Sequence, residues 1–217
     1  MQFDFTKLPA ADRYRLLTNF IGPRPIALVT TRSVGGHDNA APMSFFNVFA
    51  HEPPIVIIGF SARPDGTEKD TLRNIRRIGE FCVNMVDLSL AEQMIICGAD
   101  LAEDMNELEY ADLDAVPCAK IDSSRVVDTP CAMECEIEQI IDYPGRAIVM
   151  GKVVEMHVRD DCLDANGHYV DPTTYQPIAR LHGDNYIVSD RQFELKKSAE
   201  VAAIEVVRNP QEATESC

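Results

Sequence analysis

The stretch PRPIALVTT (residues 23–31), continued by RSVGGHDN (32–39) and AAPMSFFN (40–47), decides the fold. Residues 26–31 are apolar and rich in β-branched side chains, a composition that favours a strand. Gly35 and Gly36 tolerate the positive φ angles of a tight turn, so the chain is predicted to turn back on itself there. Residues 39–47 form the predicted return strand. The sequence therefore predicts a hairpin over residues 23–47.

The return strand carries small and polar side chains that would suit a ligand. Ala40 and Ala41 let a bound group approach the backbone, and Ser44 and Asn47 add a hydroxyl and an amide three residues apart. A phosphate needs several converging donors, which hydroxyls, amides and backbone N–H groups supply without a buried charge. The same residues also fit a hairpin with ordinary turn residues, so the pattern alone leaves both interpretations open.

A second potential anion site lies where a helix is predicted to begin, at Asp70. Free N–H groups and the positive end of the helix dipole attract a phosphate there, and Lys69 and Thr71 flank the position. Asp70 is the predicted N-cap, and its carboxylate would compete for the same donors. A capped helix with a solvated lysine is therefore the alternative. Gly79 is the predicted end of this helix.

Length and charge restrict the class of protein. With 217 residues the chain is long enough for one domain with a real core, expected over residues 1–207 with a frayed tail at 208–217. A formal charge of −15 opposes binding to nucleic acid or to an anionic membrane surface. The first residues lack the basic and apolar regions of a signal peptide, and a cytoplasmic location is expected. Seven cysteines without a CxxC pair predict neither a metal site nor a disulfide framework.

The remaining strands indicate a barrel. The run IVIIGF at residues 55–60 is continuously apolar, as in a buried strand, and residues 132–143 and 147–158 predict a second hairpin in which Gly151 relieves crowding. Neither a GxGxxG nor a Walker loop is present, which leaves a doubly wound nucleotide fold without support. The predicted class is mainly β, an antiparallel barrel with a few attached helices.

A long polar segment, residues 159–189, is predicted to be irregular, and such loops are usually functional or interfacial. Arg180, His182, Gly183 and Tyr186 are its densest cationic and aromatic group. Arg180 would stabilise an anionic centre at the entrance of a site. Alternatively, Arg180 and Tyr186 simply cover the mouth of the barrel.

Several linked motifs together resemble the flavin reductase-like family, whose fold is the FMN-binding split barrel. They are PRPIALVTT, NAAPMSFFN, HEPPIVIIGF, KDTLRNI followed by GEFCVN, and ARLHGDNY. They occur in the family's order and with similar spacing over most of residues 16–186. The combination makes the resemblance specific, whereas each motif alone would be weak.

The resemblance implies a homodimeric six-stranded antiparallel split barrel that holds FMN near the subunit interface. Residues that match flavin-contacting positions are Thr30, Thr31, Asn39, Ala41, Ser44, Asn47 and Asn84. Lys69 and Thr71 match the pair that anchors the phosphate. Arg180 and Tyr186 match the segment that closes over the flavin ring, with His182 where a glycine is more usual.

The implied activity is that of an oxidoreductase. FMN takes hydride from NADH or NADPH and passes electrons to flavin or another small-molecule acceptor. A partner oxygenase is also compatible with this activity. Because the flavin carries this chemistry, no catalytic side chain is assigned. A non-catalytic FMN-binding electron-transfer or carrier protein is the alternative. A split-barrel relative acting on a pyridoxal-type phosphate would need a cluster of basic residues, which the sequence lacks.

Overall fold

The protein is described by a computed structural model over residues 1–99, 101, 105–191 and 193–195. The predicted end of the domain at residue 207 and the predicted tail at 208–217 lie outside these residues. The strands within them are β1 (Arg24–Pro25), β2 (Ala27–Arg32), β3 (Asp38–Met43), β4 (Phe46–His51), β5 (Pro54–Ser61), β6 (Glu80–Met85), β7 (Ala115–Pro117), β8 (Ser124–Val126), β9 (Cys131–Tyr143), β10 (Arg146–Val158), β11 (Ile178–Arg180) and β12 (Tyr186–Val188). The helices are α1 (Ala10–Phe20), α2 (Asp70–Ile78), α3 (Ala91–Ile96) and α4 (Glu107–Tyr110).

The main sheet has the strand order β3-β2-β6-β9-β10-β5-β4, and each neighbouring pair is antiparallel. The predicted mainly β, antiparallel class is confirmed, with seven strands in this sheet where six were expected. The first predicted hairpin is also present: β2 pairs with β3 so that Thr31 lies opposite Asn39. Gly36 has a φ of 84° in the turn between them, as the sequence predicted.

The sheet closes into a barrel at Ser44 and Phe45. These two residues connect β3 to β4, although the two strands lie at opposite edges of the sheet, and the edges must therefore curl together. The N–H of Gly59 on β5 donates to the carbonyl of Phe45 at 2.7 Å across the junction. The prediction of one return strand over residues 39–47 is wrong in this respect. The chain bends at the junction because β3 continues the hairpin with β2, whereas β4 pairs with β5.

The hairpin β9–β10 has two strands of 13 residues each, and it confirms the second predicted hairpin. Both strands contribute side chains to the core. Its register shifts between Met150 and Gly151. A Cβ atom on Gly151 would lie 2.3 Å from Cζ of Phe81, a side chain buried in the barrel core. Glycine is therefore needed at this position, and the predicted relief of crowding is confirmed.

A small second sheet, β1-β11-β12, forms beside the barrel. Residues 159–189 were predicted to be irregular, and this is wrong for β11 and β12, which pair so that Arg180 lies opposite Tyr186. The guanidinium of Arg24 on β1 donates to the carbonyls of Thr18, Ile21 and Leu181. These hydrogen bonds tie the N-terminal helix and the β11–β12 turn to the start of the barrel.

Helix α2 packs Leu72 and Ile75 into the core and ends at Gly79, whose φ of 86° confirms the predicted stop. Its N-cap is Lys69, so the assignment of that position to Asp70 is wrong. The Asp70 carboxylate is held by Arg63 and Arg73, which explains why it does not cap the helix. Among the described helices, none combines the length and the apolar character needed to cross a bilayer.

Candidate functional site

A cavity of about 300 Å³, here called the polar cavity, opens between β3, the start of α2 and the β11–β12 turn. One side of this cavity is formed by β3, an edge strand that pairs with β2 and with no other of the described strands. Six residues predicted from the sequence line it: Asn39, Ala41, Lys69, Thr71, Arg180 and Tyr186. The structure therefore brings together three stretches that are far apart in the chain.

Asn39 is the centre of a hydrogen-bond network at one end of the polar cavity. Its Oδ1 accepts from the hydroxyls of Thr71 at 2.9 Å and Thr31 at 3.2 Å. Thr31 in turn accepts from Nδ2 of Asn74 at 3.1 Å. Thr31 is itself buried behind Asn39, so this predicted flavin contact supports the cavity wall.

Glu107 is a residue of this network that the sequence analysis did not identify. Its Oε1 accepts from Nδ2 of Asn39 at 2.9 Å, and its Oε2 accepts from the N–H of Ala40 at 3.2 Å. Burial raises the pKa of Glu107, and the hydrogen bonds from Ala40 and Asn39 partly oppose that rise. A single glutamate in an acidic segment has no feature that separates it from exposed neighbours such as Glu109, so no sequence signal marks it.

Among the residues that the structure describes, one cation at the polar cavity has a side chain without a hydrogen bond or ion pair. Arg63 binds the Asp70 carboxylate at 2.6 Å, and Arg180 donates to the carbonyl of Gly183 at 3.0 and 3.2 Å. Lys69 is exposed, and its side chain has no hydrogen bond or ion pair within the described residues. Because Lys69 is also the N-cap of α2, it adds a full charge to the free N–H groups of the helix start.

Arg180 and Tyr186 form the opposite wall of the polar cavity. The two residues pair across β11 and β12, and the Arg180 guanidinium carbon lies 5.7 Å from the centre of the Tyr186 ring. This stacking holds a planar cation and an aromatic ring side by side. His182 is exposed in the turn between the two strands and does not line the cavity.

Two predicted flavin contacts, Thr30 and Asn84, are fully buried away from the polar cavity. The Thr30 hydroxyl donates to the carbonyl of Ser124, and Asn84 donates to Thr30 and to the carbonyl of Leu28. Oδ1 of Asn84 accepts from the N–H of Val126 at 2.9 Å. These hydrogen bonds join β2, β6 and β8, so the two residues stabilise the barrel.

Ser44 and Asn47 line a different cavity of about 490 Å³, here called the apolar cavity. Its other lining residues come mainly from α1, β1, β4 and β5 and include Leu17, Ile21, Phe45, Ile57 and Ile148. Oδ1 of Asn47 accepts from the N–H of Val48 at 2.8 Å. The structure therefore places Ser44 and Asn47 in a different cavity from Lys69 and Thr71, the second potential anion site.

Residues 22–177 match the model of the flavin reductase like domain. The chain belongs to this family. A solved 2-nitrobenzoate 2-nitroreductase, NbaA from Pseudomonas fluorescens, is 36% identical, with a TM-score of 0.83 over 92% of this chain and 97% of that one. Nitrilotriacetate monooxygenase component B from Bacillus cereus is 32% identical, with a TM-score of 0.85 over 90% of this chain and 98% of that one.

The fold is shared more widely than the sequence. A protein with a split barrel domain from Shewanella frigidimarina is 21% identical and has a TM-score of 0.78 over 91% of this chain and all of that one. The resemblance seen in the sequence motifs is thereby confirmed, as is the split-barrel fold. Membership of the flavin reductase like family supports a flavin cofactor and a flavin-dependent oxidoreductase activity.

Proposed function

We propose that this protein is an FMN-binding oxidoreductase that uses NADH or NADPH to reduce flavin or another small acceptor. One observation carries the proposal: the six residues predicted from β3, the start of α2 and the β11–β12 turn line one cavity. The family match and two solved relatives above 30% identity, a nitroreductase and a monooxygenase component, support a redox role.

The phosphate of FMN is proposed to bind at the start of α2. Lys69 supplies the available cation, Thr71 a hydroxyl, and the first turn of this nine-residue helix supplies free N–H groups. The Asp70 carboxylate would repel a phosphate, but Arg63 and Arg73 neutralise it. The donor set at this end of the polar cavity therefore suits a dianion.

The flavin ring is proposed to lie toward Arg180 and Tyr186, against the backbone of β3 at Ala41. When bound, FMN accepts hydride from a reduced nicotinamide and passes electrons on. Arg180 would stabilise the negative charge of the reduced ring, and Tyr186 would shield one side of the cavity from water. The small side chain of Ala41 leaves space beside the strand.

A homodimer is the proposed assembly. Val48 and Phe49 on β4 are 67% and 63% exposed, and Phe45 and Ile148 at the rim of the apolar cavity are also exposed. These exposed apolar side chains are proposed to form one interaction surface. A second copy of this chain is the proposed occupant, which would place the flavin site near the subunit interface.

The acceptor is proposed to be small, and the two relatives suggest two versions of the activity. The resemblance to a monooxygenase component B suggests that reduced flavin is delivered to a partner oxygenase. The resemblance to a 2-nitrobenzoate 2-nitroreductase suggests direct reduction of a small nitroaromatic compound. Both versions need the same FMN-loaded polar cavity.

An absorption experiment tests the proposal. The purified protein is mixed with FMN, freed of unbound flavin on a desalting column, and titrated anaerobically with NADH and then NADPH. Retained flavin that bleaches supports the reductase. Retained flavin that neither nucleotide bleaches favours the electron-transfer or carrier alternative, and absence of both retained flavin and turnover with excess FMN would contradict FMN binding altogether.

A further inference from the structure

Arg24 is a buried cation at the apolar cavity that the proposed function does not use. It is 7% exposed and forms no ion pair within the described residues. Burial lowers the pKa of its guanidinium; the Tyr14 phenol opposes this change, and the positive charge of Arg180 adds to it. A buried charge without a counter-charge is costly in free energy, so an anion beside Arg24 would be stabilising.

The hydrogen bonds of Arg24 hold its guanidinium in place and leave one donor unused. Nη1 donates to the carbonyls of Thr18 and Ile21, and Nη2 donates to the carbonyl of Leu181. Nε is buried and has no hydrogen-bond partner within the described part of the chain. Carbonyl oxygens carry only partial charges, so they orient the cation without neutralising it.

Two further polar groups of the apolar cavity are free to donate. The Ser44 hydroxyl makes no hydrogen bond within the described residues, and Oδ1 of Asn47 accepts from Val48, which leaves the amide nitrogen of Asn47 unused there. Among the described residues that line this cavity, Arg24 is the only charged one. One cation and two donors without a carboxylate suit an anion. The chain as a whole, with a formal charge of −15, repels anions, so the cavity is a local exception.

The remaining lining of the cavity is apolar and fits a small ring compound. Its volume of about 490 Å³ lies within the roughly 300–1,000 Å³ of ordinary small-molecule sites. Phe45 and Phe46 supply aromatic rings, and the Arg24 guanidinium carbon lies 5.9 Å from the centre of the Phe45 ring. A planar aromatic ligand packs well against such rings, and its acidic group would then lie near the cation.

We propose that the apolar cavity is a binding site for a small aromatic carboxylate. The charge of Arg24 attracts the carboxylate, Ser44 and Asn47 donate to its oxygens, and the ring packs among the apolar side chains. Val48 and Phe49, the proposed contacts with a second copy, do not line this cavity, so that assembly does not itself fill it. The site is distinct from the polar cavity, and the inference goes beyond FMN binding.

Calorimetric titration with 2-naphthoate and 2-naphthamide at pH 7 tests this site. The amide has nearly the same shape and no charge, so the difference between the two dissociation constants measures recognition of the carboxylate. We expect naphthoate to bind about tenfold more tightly, since hydrogen bonds to a charged group are stronger than neutral ones. Both titrations are repeated with protein saturated with FMN, which should leave the constants unchanged because FMN is proposed to occupy the polar cavity.

Arg24→Gln removes the charge, and the two constants should then agree within about twofold. Arg15→Gln is the matched control and should keep the full preference, because Arg15 lies on the neighbouring helix α1, its side chain is 69% exposed, and it does not line the cavity. If Arg24→Gln does not fold, Asn47→Leu replaces it. Leucine has a similar volume and no donor, so the preference for naphthoate should fall about threefold.

The outcomes separate this inference from the proposed function. Equal affinity for naphthoate and naphthamide, or absence of binding by both, would overturn the inference, as would a full preference in Arg24→Gln or in its replacement Asn47→Leu. Displacement of naphthoate by FMN would place both ligands in one cavity and overturn it as well. A wild type that prefers naphthoate but retains no FMN would contradict only the proposed function.

Discussion

The polar and apolar cavities differ in chemistry although one short stretch, residues 39–47, contributes to both. Asn39 and Ala41 on β3 line the polar cavity, whereas Ser44 and Asn47 line the apolar one. The bend that closes the barrel divides the stretch between them. One continuous sequence motif therefore has two proposed roles. Its first half binds FMN, and its second half belongs to the surface that contacts a second copy of the chain.

The largest effect is expected on β4, the strand that contributes Phe46 and Asn47 to the apolar cavity. Replacing both Val48 and Phe49 by Asp places two charges on the surface proposed to contact a second copy. Burying each original side chain is worth about 1.5–3 kcal/mol, and a buried unpaired charge adds a further cost, so the dimer should weaken by roughly 100-fold or more. Sedimentation velocity over a concentration series measures the change.

Val34→Asp is the control for this variant, because Val34 is 69% exposed in the β2–β3 turn, away from the apolar cavity. It should leave the association unchanged. A Val48→Asp/Phe49→Asp protein that sediments as the wild type does would contradict the proposed interface. Loss of FMN affinity along with the dimer would show that the polar cavity is incomplete without the second copy.

Lys69→Ala should have the next largest effect, and only on the polar cavity. A hydrogen bond to a charged group is worth about 1.5–3 kcal/mol, which corresponds to roughly a 10- to 100-fold weaker binding of FMN. Riboflavin binding should remain almost the same, because it has no phosphate. Lys152→Ala, at an exposed position on β10, is the charge-matched control. Equal weakening of both flavins by Lys69→Ala would contradict the proposed orientation of FMN.

A smaller effect on FMN affinity is expected when single polar side chains of the two cavities are removed. Thr71→Ala should weaken FMN binding by about three- to tenfold and spare riboflavin, as loss of one neutral hydrogen bond predicts. Ser44→Ala and Asn47→Ala should not alter the preference for FMN over riboflavin, because the two residues lie in the apolar cavity. Flavin titrations of the three variants measure these changes, and a phosphate-specific loss in Ser44→Ala would restore the original assignment of that residue.

The sequence predicted the barrel well because its hairpins depend on local signals. Alternating strands, Gly36 in the turn and Gly79 at the end of α2 act over a few residues, and the structure confirms them. What the sequence analysis missed is the bend at Ser44 and Phe45, which carries neither Gly nor Pro and after which β4 forms a hairpin of its own with β5. Because of this bend, Ser44 and Asn47 line the apolar cavity, whereas Asn39 and Ala41 line the polar one.

The candidate site was predictable only in part. Lys69, Thr71, Arg180 and Tyr186 stand in motifs, and the structure places them in one cavity. Glu107 comes from an acidic segment without a motif, and its role depends on contacts with residues 67 and 68 positions earlier in the chain. Such long-range hydrogen bonds are set by the folded geometry, so sequence spacing does not reveal them.

The smallest effect is expected from Cys97, the cysteine that lines the polar cavity. Its thiol is 2% exposed and burial raises its pKa to about 12, so at pH 8 roughly one thiol in ten thousand is a reactive thiolate. We expect iodoacetamide to leave Cys97 unmodified in the native protein, as mass spectrometry of tryptic peptides would show, and to alkylate it in urea. Cys97→Ala should change FMN affinity by less than about twofold, because the thiol makes only a weak contact to the carbonyl of Glu107. Rapid native alkylation, or a clear loss of FMN in this variant, would mean that the thiol contacts the ligand and that the polar cavity opens more widely toward α3 than its hydrogen bonds indicate.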